Sequence, residues 1–246
     1  MIAARDDRPM PLSKHFAELR KVFIIAGLAW LVCTVAAFAL NNLVLGVLLR
    51  PLHEVLMHGN SVVPSAIFTS PTEGLTVPLK VAAIAGIVLS LPVILWQVWS
   101  FVRPGLTKRE RKIVAPIVAS GLLLFAAGGA LAYFVMPVGL RFLANFLGGN
   151  AIYFPDINQY LSFIALLILA FGLTFELPIA ILILGMLRIV SSAWLRRRRK
   201  VVWVAIVFAA LAVTPGADPF TPLALLLPLI ALFEASVLIL DRAFKH

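Results

Sequence analysis

Carboxylates set inside apolar sequence are the residues through which this chain could do chemistry. From 161 to 187 it reads LSFIALLILAFGLTFELPIAILILGML, with one charge, Glu176, and Pro178 two places later. Glu234 stands in similar isolation in the last apolar stretch. A carboxylate at mid-bilayer costs on the order of 2.5–3.5 kcal/mol on insertion scales, so such an acid must face protein or water and be hydrogen-bonded or protonated. A contact for a partner helix, a proton site in a carrier and a plain interhelical hydrogen bond all satisfy that demand. Two further acids lie in basic surroundings: Glu18 beside Arg20 and Lys21, and Glu110 within residues 103–112, RPGLTKRERK. Paired carboxylates suit an arginine ligand, because the guanidinium fork accepts bidentate pairing that lysine cannot reproduce. Each also has a structural explanation, Glu110 as the capping partner of Thr107 and Glu18 as an ion pair with Lys21 one turn on.

Other chemistries find less support. The segment His53-Glu54-Val55-Leu56-Met57-His58 approaches a zinc-protease pattern, but its second histidine is one place too far and the rings diverge by about 140° around a helix. No metal site is expected. An intramembrane enzyme needs a nucleophile with its base inside the bundle, whereas His15, His53, His58 and His246 fall outside the apolar runs, so neither a catalytic residue nor a cofactor is assigned.

The elements that must position these acids are membrane helices. Of 246 residues 62% are hydrophobic and 13% charged, and the mean hydropathy is +1.03. That leaves too little polar surface to cover a water-soluble globule, and the expected class is all-α and polytopic. Spans are expected at about 22–41, 75–102, 113–136, 158–187, 200–213 and 220–240 within a single membrane domain, preceded by an amphipathic lead-in over 1–21. The first is read as an uncleaved helix, because about nineteen apolar residues exceed the core of a signal peptide. Residues 43–56 continue a helical stripe, expected to lie on the outer surface. Ser70-Pro71-Thr72-Glu73 reads as a capping box opening the second span, Thr107 with Glu110 as one opening the third, and Asp156 with Gln159 as the start of the fourth. That fourth span is long enough that it must tilt, bend near Pro178 or project past the lipid. The last two are expected to be short, since 201–213 covers only about 20 Å and the final run reaches Glu234 through Pro222 and Pro228. Short neighbours would leave a concave, thinned or hydrated flank on the bundle.

The net charge of +10 belongs to the loops. With a cytoplasmic N-terminus, eighteen of the 21 Lys and Arg fall on the inner side and only Arg50, Lys80 and Arg141 elsewhere, which fits six spans with both termini inside. A re-entrant final hairpin satisfies the same count. Nucleic acid is not an expected partner, since the cations are dispersed through short loops that set orientation. The lone Cys33 excludes an internal disulfide.

Several stretches then read together: HFAELR at 15–20, SPTEG at 70–74, PVILWQVWSFVRPG at 92–105 leading into LTKRER, FGLTFELP at 171–178, and residues 214–219 and 228–234. In order and spacing, over about 12–240, the chain resembles the TatC family, the large multispanning subunit of the twin-arginine protein translocase. The resemblance implies a receptor in the cytoplasmic membrane of a prokaryote that recognises Arg-Arg signal peptides of folded proteins. It implies recruitment of single-span subunits of the TatA and TatB type under a proton-motive force, and self-association in a multi-copy complex. Carried over residue by residue, Glu18 and Glu110 fall at the signal-recognition positions, with Arg20, Lys21, Phe101 and Pro104 beside them, and Pro51, Glu176 and Asp218 fall at further functional positions. Glu234 joins Glu176 as an intramembrane polar contact. Two departures are visible: Trp96 and Phe233 stand where tyrosine is common, which puts in doubt any role needing those hydroxyls. The competing class is a proton-coupled small-solute carrier, which would use Glu176 and Glu234 but would also show repeated halves with matching interrupted helices; no such repeat is visible.

Overall fold

The computed structural model describes residues 12–58, 69–102, 114–145, 156–214 and 218–243. These form α1 (Leu12–Ala39), α2 (Asn41–His58), α3 (Glu73–Val102), α4 (Val114–Asn145), α5 (Ile157–Phe175), α6 (Leu177–Met186), α7 (Ser192–Arg197), α8 (Arg199–Val213) and α9 (Phe220–Ala243). Five stretches are long and apolar enough to cross a bilayer: Phe16–Ala39, Glu73–Val102, Ala115–Leu143, Ile157–Met186 and Phe220–Arg242. Helices dominate because residues in lipid must satisfy their backbone groups within the segment.

Packing is densest between α1 and α3 and between α4 and α5. Small residues permit both approaches: Gly86 lies against the backbone of Thr34, and Gly128 against that of Phe171, where any β-carbon would clash. The main core runs through Leu52, Val81, Met136, Leu161, Phe171, Leu225, Leu229 and Phe233, so that α2, α3, α4, α5 and α9 share one interior.

Proline chemistry shapes two of the elements. Pro51 sits inside α2 without an N–H, which frees the carbonyl of Val47 four residues back. Tyr133 of α4 donates its hydroxyl to that oxygen at 2.9 Å, and Tyr160 of α5 donates to the neighbouring Leu48 carbonyl at 2.7 Å. The helix expected to lie over the outer surface is thus docked on the bundle, with Pro51, Leu52, Val55 and Leu56 buried. Pro178 acts at the first turn of α6, and the fourth apolar run bends there, α5 ending and α6 beginning at the single residue Glu176.

Several expectations are corrected. Glu73, expected to reach back to the N–H of Ser70, accepts instead from the N–H of Thr69 at 3.0 Å, and the Thr69 hydroxyl, 2.8 Å away, is shared between Glu73 and the closer Asp156. Ser70 gives its carbonyl to the N–H of Glu73 in a tight turn through Pro71, so the reciprocal contact moves out by one residue. The basic run after 195, expected as a loop, is helical: α7 ends and α8 begins at Arg198. Of the two segments expected as short final spans only α8 is short, at 15 residues or about 22 Å. The other, α9, persists for 24 residues through Pro228, since one proline removes one backbone bond while lipid penalises every other break.

Candidate functional site

Glu176 occupies a joint built by the sequence around it. Its backbone lies at φ −77° and ψ −9°, its N–H closes α5 on the Leu173 carbonyl at 3.1 Å, and its own carbonyl accepts the N–H of Ala180 at 3.0 Å. The side chain caps neither helix. It turns toward α4, where Gly121 leaves it room: a β-carbon at Gly121 would sit 3.1 Å from Oε2 and 3.2 Å from Leu95 of α3. Oε1 is buried and meets no hydrogen-bond donor among the described residues. The joint therefore holds an acceptor with no donor, beside exposed Leu173 and Leu177. Burying an unpaired polar group is costly, so such an oxygen marks a place where a donor from outside the chain can gain a hydrogen bond.

Glu234 is in the opposite condition. Arg199, at the start of α8, donates Nη2 to Oε2 at 2.5 Å, and the Trp203 indole donates to Oε1 at 3.1 Å. The acid stands level with the basic end of α8, and Phe233 beside it is buried in the core. Two turns further along α9, Asp241 accepts from Arg196 and from the Ser192 hydroxyl, tying α7 to α9. The sequence reading missed both pairs; the only signal was two acids in α9 following five consecutive cations.

Glu18, Arg20 and Lys21 lie together on α1. Arg20 and Lys21 are exposed and Glu18 is half-buried. Its Oε2 is buried with no hydrogen-bond partner among the described residues, so the expected pairing with Lys21 does not engage that oxygen. Phe101 is half-buried in the last turn of α3. Pro104 and Glu110, with the Thr107 cap, lie outside the described residues. Trp96 is exposed on α3.

At the other end of the bundle Asp218 is buried and accepts the N–H of Thr221 at 2.7 Å, capping the start of α9. It packs on Gly139 of α4, where a β-carbon would come within 3.2 Å of its carboxyl. Beside it a cleft of about 460 Å³ opens between α8 and α9, lined by Ala210, Leu211, Thr214, Pro222 and Leu226. Asp156 caps α5 by accepting the Gln159 N–H at 2.7 Å and takes the Thr69 hydroxyl at 2.5 Å. These donors, the Thr69 hydroxyl foremost, hold its carboxyl below the usual carboxylate range. Lys80, unremarked as a contact in the sequence, bridges α3 to α5 by donating to Asn158 and Ser162.

Comparison with known proteins identifies the family. The family model described as Sec-independent protein translocase protein (TatC) matches residues 14–228. The protein of that name from Carboxydothermus hydrogenoformans is 37% identical over 235 residues, 95% of this chain and 94% of the relative. Its counterpart in Escherichia coli (strain K12) is 36% identical over 228 residues, 92% of this chain and 86% of the relative. A crystal structure of the twin arginine translocase receptor TatC aligns with a TM-score of 0.77 at 30% identity, covering 94% of this chain and 100% of the other. With the family match spanning nearly all of an all-helical, multi-pass chain, this protein belongs to the TatC family, a membrane component of the twin-arginine protein translocase.

Proposed function

We propose that the chain is the receptor and core component of the translocase, binding Arg-Arg signal peptides of folded proteins at its cytoplasmic face and recruiting single-span subunits of the TatA and TatB type. One observation carries this reading. Among the described acids, Glu18 and Glu176 are the two that keep a buried oxygen without a donor, and both fall at positions the family resemblance assigned to function. Glu18, together with Glu110 of the basic loop, serves as acceptor for the signal arginines, while Arg20, Lys21, Phe101 and Pro104 take the accompanying roles the family resemblance assigns them. Glu176 serves as acceptor for a polar group on a partner helix.

Magnitudes divide the labour. Partly exposed ion pairs give about 0–1 kcal/mol each, whereas micromolar binding needs about 8 kcal/mol. The carboxylates therefore supply specificity, and burial of the signal peptide's apolar segment supplies most of the affinity. A membrane hydrogen bond to Glu176 adds roughly 1–2 kcal/mol, which biases docking without fixing it. In this reading the chain crosses the inner membrane of a prokaryote six times with both termini cytoplasmic, α8 being the short crossing. The flank beside α8 is concave, several copies assemble in one receptor, and export draws on the proton-motive force. Pro51 and Asp218 serve this role by fixing α2 and the start of α9 at the opposite end. A proton-coupled carrier would need Glu234 in a relay with Glu176, and Glu234 is engaged by Arg199 and Trp203.

The test is crosslinking of a twin-arginine signal peptide to membranes holding Glu18→Gln, Glu110→Gln or Glu176→Ala protein. The first two should each lose signal-peptide crosslinks by up to about fivefold, the equivalent of about 1 kcal/mol, and Glu176→Ala should keep them. Wild-type crosslinking by both glutamine variants would remove Glu18 and Glu110 from recognition.

A further inference from the structure

The elbow between α7 and α8 carries five consecutive cations, Arg196 to Lys200. Two are already matched, Arg196 by Asp241 and Arg199 by Glu234. Arg197, Arg198 and Lys200 are exposed and have no ionic partner among the described residues. Two tryptophans flank the elbow. The Arg198 guanidinium lies 5.1 Å from the centre of the Trp194 ring and that of Arg199 lies 6.0 Å from Trp203. Both indoles stay open to the surroundings, at 46% and 37% exposure, as expected where a bilayer meets water. Along α8 from Lys200 the next residues on the same face, at i+4 and i+8, are Val204 and Phe208, and both are exposed.

The surface therefore offers three free cations, two amphipathic rings and an apolar strip descending from them. That is the chemistry of a phosphate joined to an acyl chain. A soluble anion would leave the strip unused, and an arginine-bearing signal segment would be repelled by the cations. We propose that this elbow binds the headgroup of an anionic phospholipid, with Arg197, Arg198 and Lys200 around the phosphate and the acyl chain along Val204 and Phe208. The inference stands apart from the receptor reading, since it needs only α8 entering the membrane at its basic end. Each cation near an anionic surface strengthens attraction about fivefold.

Native mass spectrometry of the detergent-released full chain, titrated with phosphatidylglycerol or phosphatidylcholine, tests it. Phosphatidylglycerol should bind preferentially, and Arg197→Gln/Arg198→Gln should lower its occupancy by about tenfold or more. The charge-matched control Arg50→Gln/Arg141→Gln, exposed positions on α2 and α4, should leave occupancy unchanged. Millimolar inorganic phosphate should fail to compete. Equal binding of the two lipids, equal loss in the control, or full displacement by inorganic phosphate would each overturn the proposal.

Discussion

Glu176 and Glu234 are each the lone acid of a long apolar stretch, yet their carboxylates end in opposite states. Glu234 is closed by Arg199 and Trp203, whose helix returns antiparallel to α9 and brings a cation to its level. Glu176 is opposed by Gly121, which offers space and no donor. The difference teaches that an intramembrane acid is not by itself evidence of function. What distinguishes the two is whether the chain supplies the acid's partner, and only Glu176 has a buried oxygen left for another molecule.

The contrast depends on α4 holding α5 and α6 in register, so the largest effect should come from prising them apart. Gly128 lies two turns along α4 from Gly121, and a β-carbon there would sit 2.7 Å from the Phe171 carbonyl oxygen. Gly128→Leu should cost about 3 kcal/mol or more in thermal unfolding of the detergent-solubilised protein, because the obstructing atoms are backbone. A variant as stable as wild type would mean that this packing does not set the joint.

Breaking the closed acid should cost less. The Arg199–Glu234 pair is partly exposed, with side chains 46% and 25% accessible, so Glu234→Ala is expected to lose about 1 kcal/mol of stability. A double-mutant cycle with Arg199→Ala isolates the pair, and a coupling energy near zero would erase the contrast from the closed side.

Legibility in the sequence followed the range over which each feature is determined. Apolar runs fix their own helices, so the positions of most helices could be read directly, while Pro178 pointed to a bend as one of three ways to fit an overlong span to the bilayer. The Asp156 cap was equally local. The pair between Arg199 and Glu234 was not, because it depends on the register of α8 against α9. Nor was the docking of α2, which rests on two tyrosines, one reaching the Val47 carbonyl that Pro51 leaves open and the other the neighbouring Leu48 carbonyl. Of the candidate site, Glu18 and Glu176 could be named from the sequence, but that each retains an open oxygen follows only from what neighbouring helices fail to provide.

The smallest effect concerns Asp156, an acid closed by hydrogen bonds alone. Because Thr69 and Gln159 depress its folded-state carboxyl, its contribution to stability is present above the ordinary carboxylate value of about 3.9 and is lost as pH falls through the lower folded value. The unfolding midpoint of wild type relative to Asp156→Asn should therefore be higher at neutral pH and converge with it in acid. A pH-independent difference would show that the carboxylate's charge contributes nothing to the cap.

The most direct measurement of the central claim is site-specific photocrosslinking from residue 176 in assembled translocase, with and without substrate, beside thermal unfolding of Glu176→Ala. An open acceptor predicts crosslinks to a single-span subunit that change when substrate binds, and an unfolding temperature within a degree or two of wild type, since no hydrogen bond within the described chain is lost. Crosslinks confined to the chain's own helices in both states, together with a clear fall in stability, would show that Glu176 is as closed as Glu234 and would contradict the account.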